Sequence, residues 1–393
     1  MPDHLAAKGV ETGASCPIDQ ALPALFRKLD DWHQDFGGPF LIALSGGGDS
    51  MALCHFAGTW AKARGGAVHA VSIDHGLRPS SAADAAQAIQ WAEALGLTGE
   101  VVQLAERPAT GGLQEWARHA RYQALAQVAA RLGAKVILVG HTWDDQVETL
   151  CWRLARQTGL DGLAGMTELA INPGADPEAP NLLARPLLGL KRADLRVWLS
   201  RNGQHWLEDE SNQNLDFARI RTRKRVQAMA AQGVNLDRII RLAATADALR
   251  RLQEQATRAL LARCNLSNSA TGWQVDAAGF WDAEAVMAER ALGWLIYSLT
   301  PVDRPPEADK LRRLWSALAA NPQRARTLGG VLFVQRGAYL LAKLAPVRRD
   351  QSPAKGLSSQ SLWARLFAVS RQPHEFVTQL NWIRAEDGLT SLD

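Results

Sequence analysis

The sequence predicts an α/β protein built on a doubly wound parallel sheet, followed by a helical segment and a small α+β C-terminal domain. Three observations predict it. Short apolar runs alternate with helical patterns through the first half of the chain, and the first of those runs ends in a glycine-rich turn that opens a helix. Beyond about residue 235 the pattern becomes helical, until a hairpin signal near residue 336. The runs "FLIAL" (40–44), "AVHAVSI" (67–73), "GEVVQL" (99–104) and "KVILVG" (135–140) lack the alternation of a half-wetted sheet, as strands covered on both faces should.

In chain order, residues 1–17 read as a loose leader and Ile18–Phe36 as a helix. Helical stretches at roughly 49–64, 81–96 and 112–132 separate the strand candidates. This βαβα order implies a parallel sheet whose ligands bind beyond the carboxyl ends of its strands. "INPGADPEAPN" (171–181) is a proline-rich loop, and "RPLLGLKRADLRVWLSRNG" offers a short run and a helix closed by Gly203. "RPP" (304–306) and "NP" (321–322) punctuate the helical part, and "GGVLFVQRGAYLLAKL" (329–344) reads as a hairpin turning at Arg336-Gly337. A chain of 393 residues exceeds one ordinary core, so the expected division is 1–17, 18–234, 235–320 and 321–393.

Composition narrows the function classes. An apolar fraction of 47% with 21% charged residues describes a soluble globular protein. A net charge of +4 and a pI near 9.0 permit a polyanionic partner without requiring one. Four scattered cysteines with no C-x-x-C argue against a disulfide framework or a zinc site. The first 20 residues carry no apolar leader core, and no apolar run approaches a membrane span, so a cytoplasmic location and no membrane partner are expected. The 14 tryptophans are spread out and read as core filler with a polar indole N–H.

The chemistry starts at Ser45-Gly46-Gly47-Gly48-Asp49-Ser50. Strand, glycine turn and helix start form a phosphate cradle, because consecutive backbone N–H groups and a helix N-terminus face the same anion. Ser45 and Ser50 add hydroxyl donors, and Asp49 stands where it could hold Mg²⁺ against phosphates. Neither G-x-x-x-x-G-K-[ST] nor a dinucleotide-type G-x-G-x-x-G in its proper context occurs in the chain.

S-G-G-x-D-S after the first strand resembles the loop of the PP-loop ATP pyrophosphatases. Five further blocks, collinear from about 40 to 225, resemble one branch of that superfamily, the tRNA(Ile)-lysidine synthetases. They are "SIDHGLRPSSAADA" (72–85), "EWARHARY" (115–122), "GHTWDDQVETLCWRLARQTGLDGLAGM" (140–166), and the pair "ARPLLGLKRADL" (184–195) with "WLEDESNQNLDFARIRTR" (206–223). Two positions depart from the family pattern. Thr142 stands where a second histidine is usual, and Ile220 replaces the asparagine of R-N-x-x-R.

The resemblance implies an adenine nucleotide alpha-hydrolase-like fold and an ATP-dependent ligase that replaces the 2-oxo group of a tRNA cytidine with lysine. ATP and Mg²⁺ are the implied cofactors. An isoleucine tRNA with a CAU anticodon and free L-lysine are the implied partners, and a homodimer stays open. It places ATP on Ser45 to Ser50 and on Asp74, and it assigns Arg118, with Arg121 three residues on, to cationic help at the phosphates. Lysine goes to Asp145, Glu148 and Arg219. The spacing supports the acids, since Asp145 and Glu148 fall on one flank of a helix whose apolar stripe is Val147, Leu150, Cys151 and Leu154. Asp144 and Asp145 also suit a helix N-terminus as such, and His141 is equally readable as a bystander. "FARIRTRKRV" puts Arg219, Arg221, Arg223, Lys224 and Arg225 within seven residues, a basic run expected to meet RNA backbone. The competing readings are a PP-loop tRNA thiolase, which would need catalytic cysteines, and a tRNA-binding module without activity.

Overall fold

The computed structural model describes residues 16–76, 80–104, 113–156, 158–176, 180–208, 218–269, 272–300 and 305–346. The first half contains α1 (Pro17–Phe36), β1 (Phe40–Ala43), α2 (Gly48–Arg64), β2 (Val68–Asp74), α3 (Ser81–Ala94), β3 (Thr98–Gln103), α4 (Leu113–Leu132), β4 (Val136–Val139), α5 (Trp143–Leu154), α6 (Leu160–Leu163), β5 (Leu169–Ile171), β6 (Leu182–Ala184) and α7 (Arg192–Arg201). Its sheet runs β3-β2-β1-β4-β6-β5. All neighbours are parallel except the β5–β6 pair at one edge.

The expected strands lie within a residue or so of their predicted spans, and the reason is visible in the core. Phe40 and Ile42 of β1 pack on one face of the sheet with Leu29, Met51, Leu53 and Leu195 from α1, α2 and α7. Leu41, alternating with them, packs on the other face with Tyr122, Leu125 and Val128 of α4. Both faces are covered, so the strands need no polar side. β3 differs because it is the edge strand, and Val101 there is 41% exposed. The sequence reading also missed β5 and β6, each three residues long, which close the opposite edge.

After residue 217 come α8 (Ala218–Ala231), α9 (Leu236–Arg263), β7 (Ser267–Ser269), β8 (Gly272–Asp276), α10 (Ala277–Trp281), α11 (Ala285–Leu299), α12 (Ala308–Ala320), β9 (Arg326–Leu328), β10 (Val331–Arg336) and β11 (Tyr339–Leu344). The hairpin forms, with Arg336 opposite Tyr339 and Gly337 at φ +57°. Its second strand pairs with β8, making an antiparallel sheet β7-β8-β11-β10-β9. Strands from both sides of residue 320 therefore share one sheet and one core, centred on Trp273, Phe280, Leu295 and Phe333. A boundary at 320/321 divides strands that pair with each other. The rest of the expected C-terminal part, from 347 to 393, lies outside the described residues.

Buried tryptophans do find polar partners. Trp60 donates to Asp30 (2.8 Å), Trp198 to Asp19 (3.0 Å) and Trp273 to Ser298 (2.8 Å). Among the described residues no helix is long and apolar enough to cross a membrane.

Candidate active site

The sheet order reverses between β1 and β4, the position at which open α/β sheets bind their ligands. The glycine loop leaves β1 at this point. Gly46 has φ +78°, a conformation that favours glycine, and its carbonyl accepts from Leu207 N–H (2.9 Å). A Cβ on Gly46 would lie 2.5 Å from Leu207 Cδ1, whereas one on Gly47 would meet only Ser45 Oγ at 3.7 Å. Gly47 is the N-cap of α2, extended at φ −70° and ψ 160°. Gly48 is backed by Trp206, whose ring would lie 3.6 Å from a Cβ placed there. Serine hydroxyls brace the turn: Ser45 N–H donates to Ser50 Oγ (3.2 Å), and Ser50 Oγ donates to the Gly47 carbonyl (2.9 Å). Gly140, just after β4, lets the backbones meet, since a Cβ there would sit 3.1 Å from the Asp49 carbonyl carbon and Ser50 N.

Asp49 lies in the first turn of α2 and its side chain reaches the start of α7. Its Oδ2 accepts from Arg192 Nε (2.9 Å), while its buried Oδ1 has no hydrogen-bond partner among the described residues. Burial raises its pKa above the ordinary carboxylate value, and Arg192 only partly opposes this. An orphaned carboxylate oxygen at a phosphate loop fits a Mg²⁺ ligand. Among the described residues no group of three or more His, Cys, Asp or Glu could hold a metal, so phosphate and water oxygens would complete the shell.

The acids of α5 come from the opposite side of the crevice. Thr142, the position of the family's second histidine, is fully buried as the N-cap of α5. Its N–H and hydroxyl both donate to Asp145 Oδ2, at 2.9 and 3.0 Å. Asp144 serves a different helix, accepting the Arg192 backbone N–H of α7 at 2.8 Å. Asp145 and Glu148 are both buried and come together as their spacing predicts. Asp145 Oδ1 accepts from Arg192 Nη2 (2.9 Å), and Glu148 Oε1 lies 3.6 Å from Arg192 Nη1 and accepts from Arg223 Nε (2.8 Å).

Arg192 is the residue that sequence reasoning missed. It sits inside the quoted block 184–195, but as one of two adjacent cations at the start of a helix it carries no spacing signal. Its guanidinium joins Asp49 of the phosphate loop to Asp145 and Glu148 of α5. Burial works against its charge, and the carboxylates outweigh burial, so its pKa is held above the ordinary value.

The remaining expectations divide. Asp74 is buried at the end of β2, where its Oδ1 accepts from Ser81 Oγ (2.5 Å) and Gly76 N–H (2.9 Å); these donors lower its pKa. It thus shapes the turn after β2. Arg118 is exposed and lies over the Tyr122 ring (5.0 Å). Arg121 is half-buried over the same ring (5.3 Å) and, after burial, helps to depress His75 at the end of β2. His141 is half-buried beyond β4. The basic run is not one surface. Thr222 and Val226 are the buried stripe that docks α8, which turns Arg223 inward onto Glu148 and leaves Arg221, Lys224 and Arg225 exposed. Arg223, expected on RNA, is therefore paired with an acid, and the side chain of Arg219 lies outside the described residues. The four cysteines are free, three of them buried, and burial pushes the Cys54 thiol up to about 12.

The family described as the PP-loop domain matches residues 23–230. The chain is 33% identical to the tRNA(Ile)-lysidine synthase of Hyphomonas neptunium over 83% of its own length and 86% of that protein. It is 36% identical to the enzyme of the same name from Rhodopseudomonas palustris, over 83% of this chain and 95% of the relative. The tRNA(Ile)-lysidine synthase of a Methylobacterium species is also 36% identical, over 86% and 97%. Among solved structures, a U34-tRNA thiolase from Methanococcus maripaludis with its [4Fe-4S] cluster aligns at TM-score 0.46 and 13% identity, over 59% of this chain and 80% of that one.

Proposed function

The chain belongs to the tRNA(Ile)-lysidine synthase family of PP-loop proteins, and from that premise we propose that it adenylates the wobble cytidine of an isoleucine tRNA with a CAU anticodon and then joins free L-lysine to it. The 2-oxo oxygen takes the adenylyl group from ATP as pyrophosphate leaves; the lysine ε-amine then attacks C2, and AMP departs with that oxygen. An amide-like oxygen is a poor leaving group, and this first transfer is what makes it a good one.

One observation carries the reading. Asp49 of the phosphate loop and the Asp145–Glu148 pair, which belong to separate sequence blocks, converge on a single guanidinium. A phosphate site and an ammonium site are thus adjacent, as a reaction that spends ATP to activate a carbon for an amine requires. The N–H groups and hydroxyls of Ser45 to Ser50 bind the pyrophosphate end of ATP. Mg²⁺, held at Asp49 Oδ1, would neutralise phosphate charge. Asp145 and Glu148 take the ammonium of lysine, with Arg219 at its carboxylate. Free lysine has a pKa of about 10.4, so one of these buried carboxylates must also accept its proton before attack. Arg118, with Arg121 three residues on, supplies cationic help at the phosphates. The exposed cations Lys224 and Arg225 face outward for RNA, and Arg196, Arg201 and Trp206 line an open groove next to the loop that suits a phosphate and a stacked base. The cytoplasm is the compartment that supplies all three substrates.

The test is incubation with ATP, labelled lysine and bulk tRNA. Label in RNA, with one pyrophosphate released per lysine incorporated, is expected. Pyrophosphate release that continues without lysine beyond a single turnover, or no incorporation by folded protein, refutes the assignment.

A further inference from the structure

We propose that Arg192 couples the two small-molecule sites: bound triphosphate draws its guanidinium away from Asp145 and Glu148, and the acid pair, relieved of that one cation, then accepts the substrate ammonium. The inference rests on the placement of ATP and lysine given above. It concerns a positioning residue and an order of binding that the family likeness does not supply.

The geometry carries three parts of the argument. First, the backbone of Arg192 is fixed, because its N–H is held by Asp144 Oδ2 at 2.8 Å. Only the side chain needs to move. Second, that side chain spans both sites at once, with Nε 2.9 Å from Asp49 Oδ2 and Nη2 2.9 Å from Asp145 Oδ1. Third, it stands where the ammonium has to go. Asp145 Oδ2 is engaged by Thr142 and Oδ1 by Arg192, while Glu148 Oε1 faces both Arg192 and Arg223. An ammonium arriving at this pair meets carboxylates already neutralised by guanidinium, so the two cations compete.

ATP changes that balance. Its phosphates bring several negative charges to the loop beside Asp49, within reach of a guanidinium, whose planar fork suits phosphate oxygens. Rotation of the side chain toward them removes one guanidinium from the pair, with Arg223 still on Glu148 and Thr142 still on Asp145, and the lysine ammonium takes its place. Lysine then binds strongly only once ATP is present, so the free amine is not held at a site with nothing to attack. Linkage makes the effect mutual: lysine must tighten ATP by the same factor.

The experiment is calorimetric titration of the full chain with L-lysine, with and without α,β-methylene ATP, in which the scissile bond is replaced. Wild-type protein is expected to bind lysine at least tenfold more tightly with the analogue, roughly what one charge-assisted contact provides. Binding detected only with the analogue is the limiting form of the same result. Arg192→Gln should bind lysine more tightly than wild type without nucleotide and respond to the analogue less than about threefold. Arg192→Lys, which keeps a cation, should fall between. Equal lysine affinity with and without analogue in wild type overturns the coupling, and this arm needs no variant to fold. Weaker lysine binding by folded Arg192→Gln overturns it as well, since Arg192 would then belong to the lysine site. Glu148→Gln separates the two levels. Unchanged lysine binding in that variant overturns the placement of lysine and the coupling together. A Glu148 effect alongside uncoupled wild type overturns the coupling alone.

Discussion

Adjacent glycines of the phosphate loop should respond oppositely to the same methyl group. At Gly47 the backbone is extended and the space beyond Cα is open, with Ser45 Oγ at 3.7 Å. Alanine there gains about 0.4–1 kcal/mol from the unfolded chain. It gives back a similar amount, roughly 0.5 kcal/mol or more, as a poorer N-cap. The melting temperature of Gly47→Ala should therefore stay close to wild type. Its activity should not, because the methyl occupies the approach of a phosphate to the loop N–H groups, and a misplacement of about 1 Å can cost on the order of a hundredfold. At Gly46 the φ of +78° costs alanine roughly 1–2 kcal/mol, and Leu207 Cδ1, 2.5 Å from the new Cβ, must also swing away. At about 2–4 °C per kcal/mol for a unit of 150–250 residues, the size of the part that carries the loop, Gly46→Ala should melt several degrees lower. The assay pairs thermal melts with pyrophosphate release that depends on tRNA and lysine. If Gly47→Ala turns over ATP like wild type at an unchanged melting temperature, the loop is only a turn and the reasoning fails.

Glu148→Gln should raise the lysine requirement roughly tenfold or more while leaving the KM for ATP nearly unchanged, because it removes a charged acceptor and keeps the shape; steady-state kinetics with each substrate varied decides this. Neutralising Lys224 and Arg225 together should flatten the log–log salt dependence of tRNA binding by about 1.4, at roughly 0.7 per phosphate contact to single-stranded RNA. Parallel slopes would show a merely solvated face. The carboxyl of Asp74 has a lowered native pKa, so it contributes stability above the unfolded value of about 3.9 and loses it as pH falls through the native value. The difference in melting temperature between wild type and Asp74→Asn should thus be present at pH 7 and close in acid; a difference that persists well below both pKa values would count against the Ser81 and Gly76 hydrogen bonds as its source.

The parts of the fold legible in the sequence are those fixed by local pattern and complete burial. "FLIA" and "VILV" are covered on both faces, and nothing but a central strand suits such runs between helices. Asp145 and Glu148 could be paired on paper because i and i+3 share a helix face whatever the tertiary structure. Arg192 could not, since its role exists only once the sheet order sets the start of α7 beside α2 and α5. The basic run misled for a related reason: five cations look alike in sequence, and only the docking of α8 through Thr222 and Val226 separates Arg223 from the exposed ones. β7, "SNS", is polar and three residues long, and it forms because β8 offers an edge. No propensity announces such a strand.

The contact at Gly140 has a different character from the ion pairs of the crevice. There the end of β4 and the start of α2 meet backbone to backbone, with 3.1 Å left where a side chain would begin. Such a seam contains nothing to protonate, oxidise or screen with salt. At this seam, solution conditions have no charged group to act on. What conditions and ligands can adjust is the layer of ion pairs around Arg192, a movable set of charges mounted on a frame that does not respond to them.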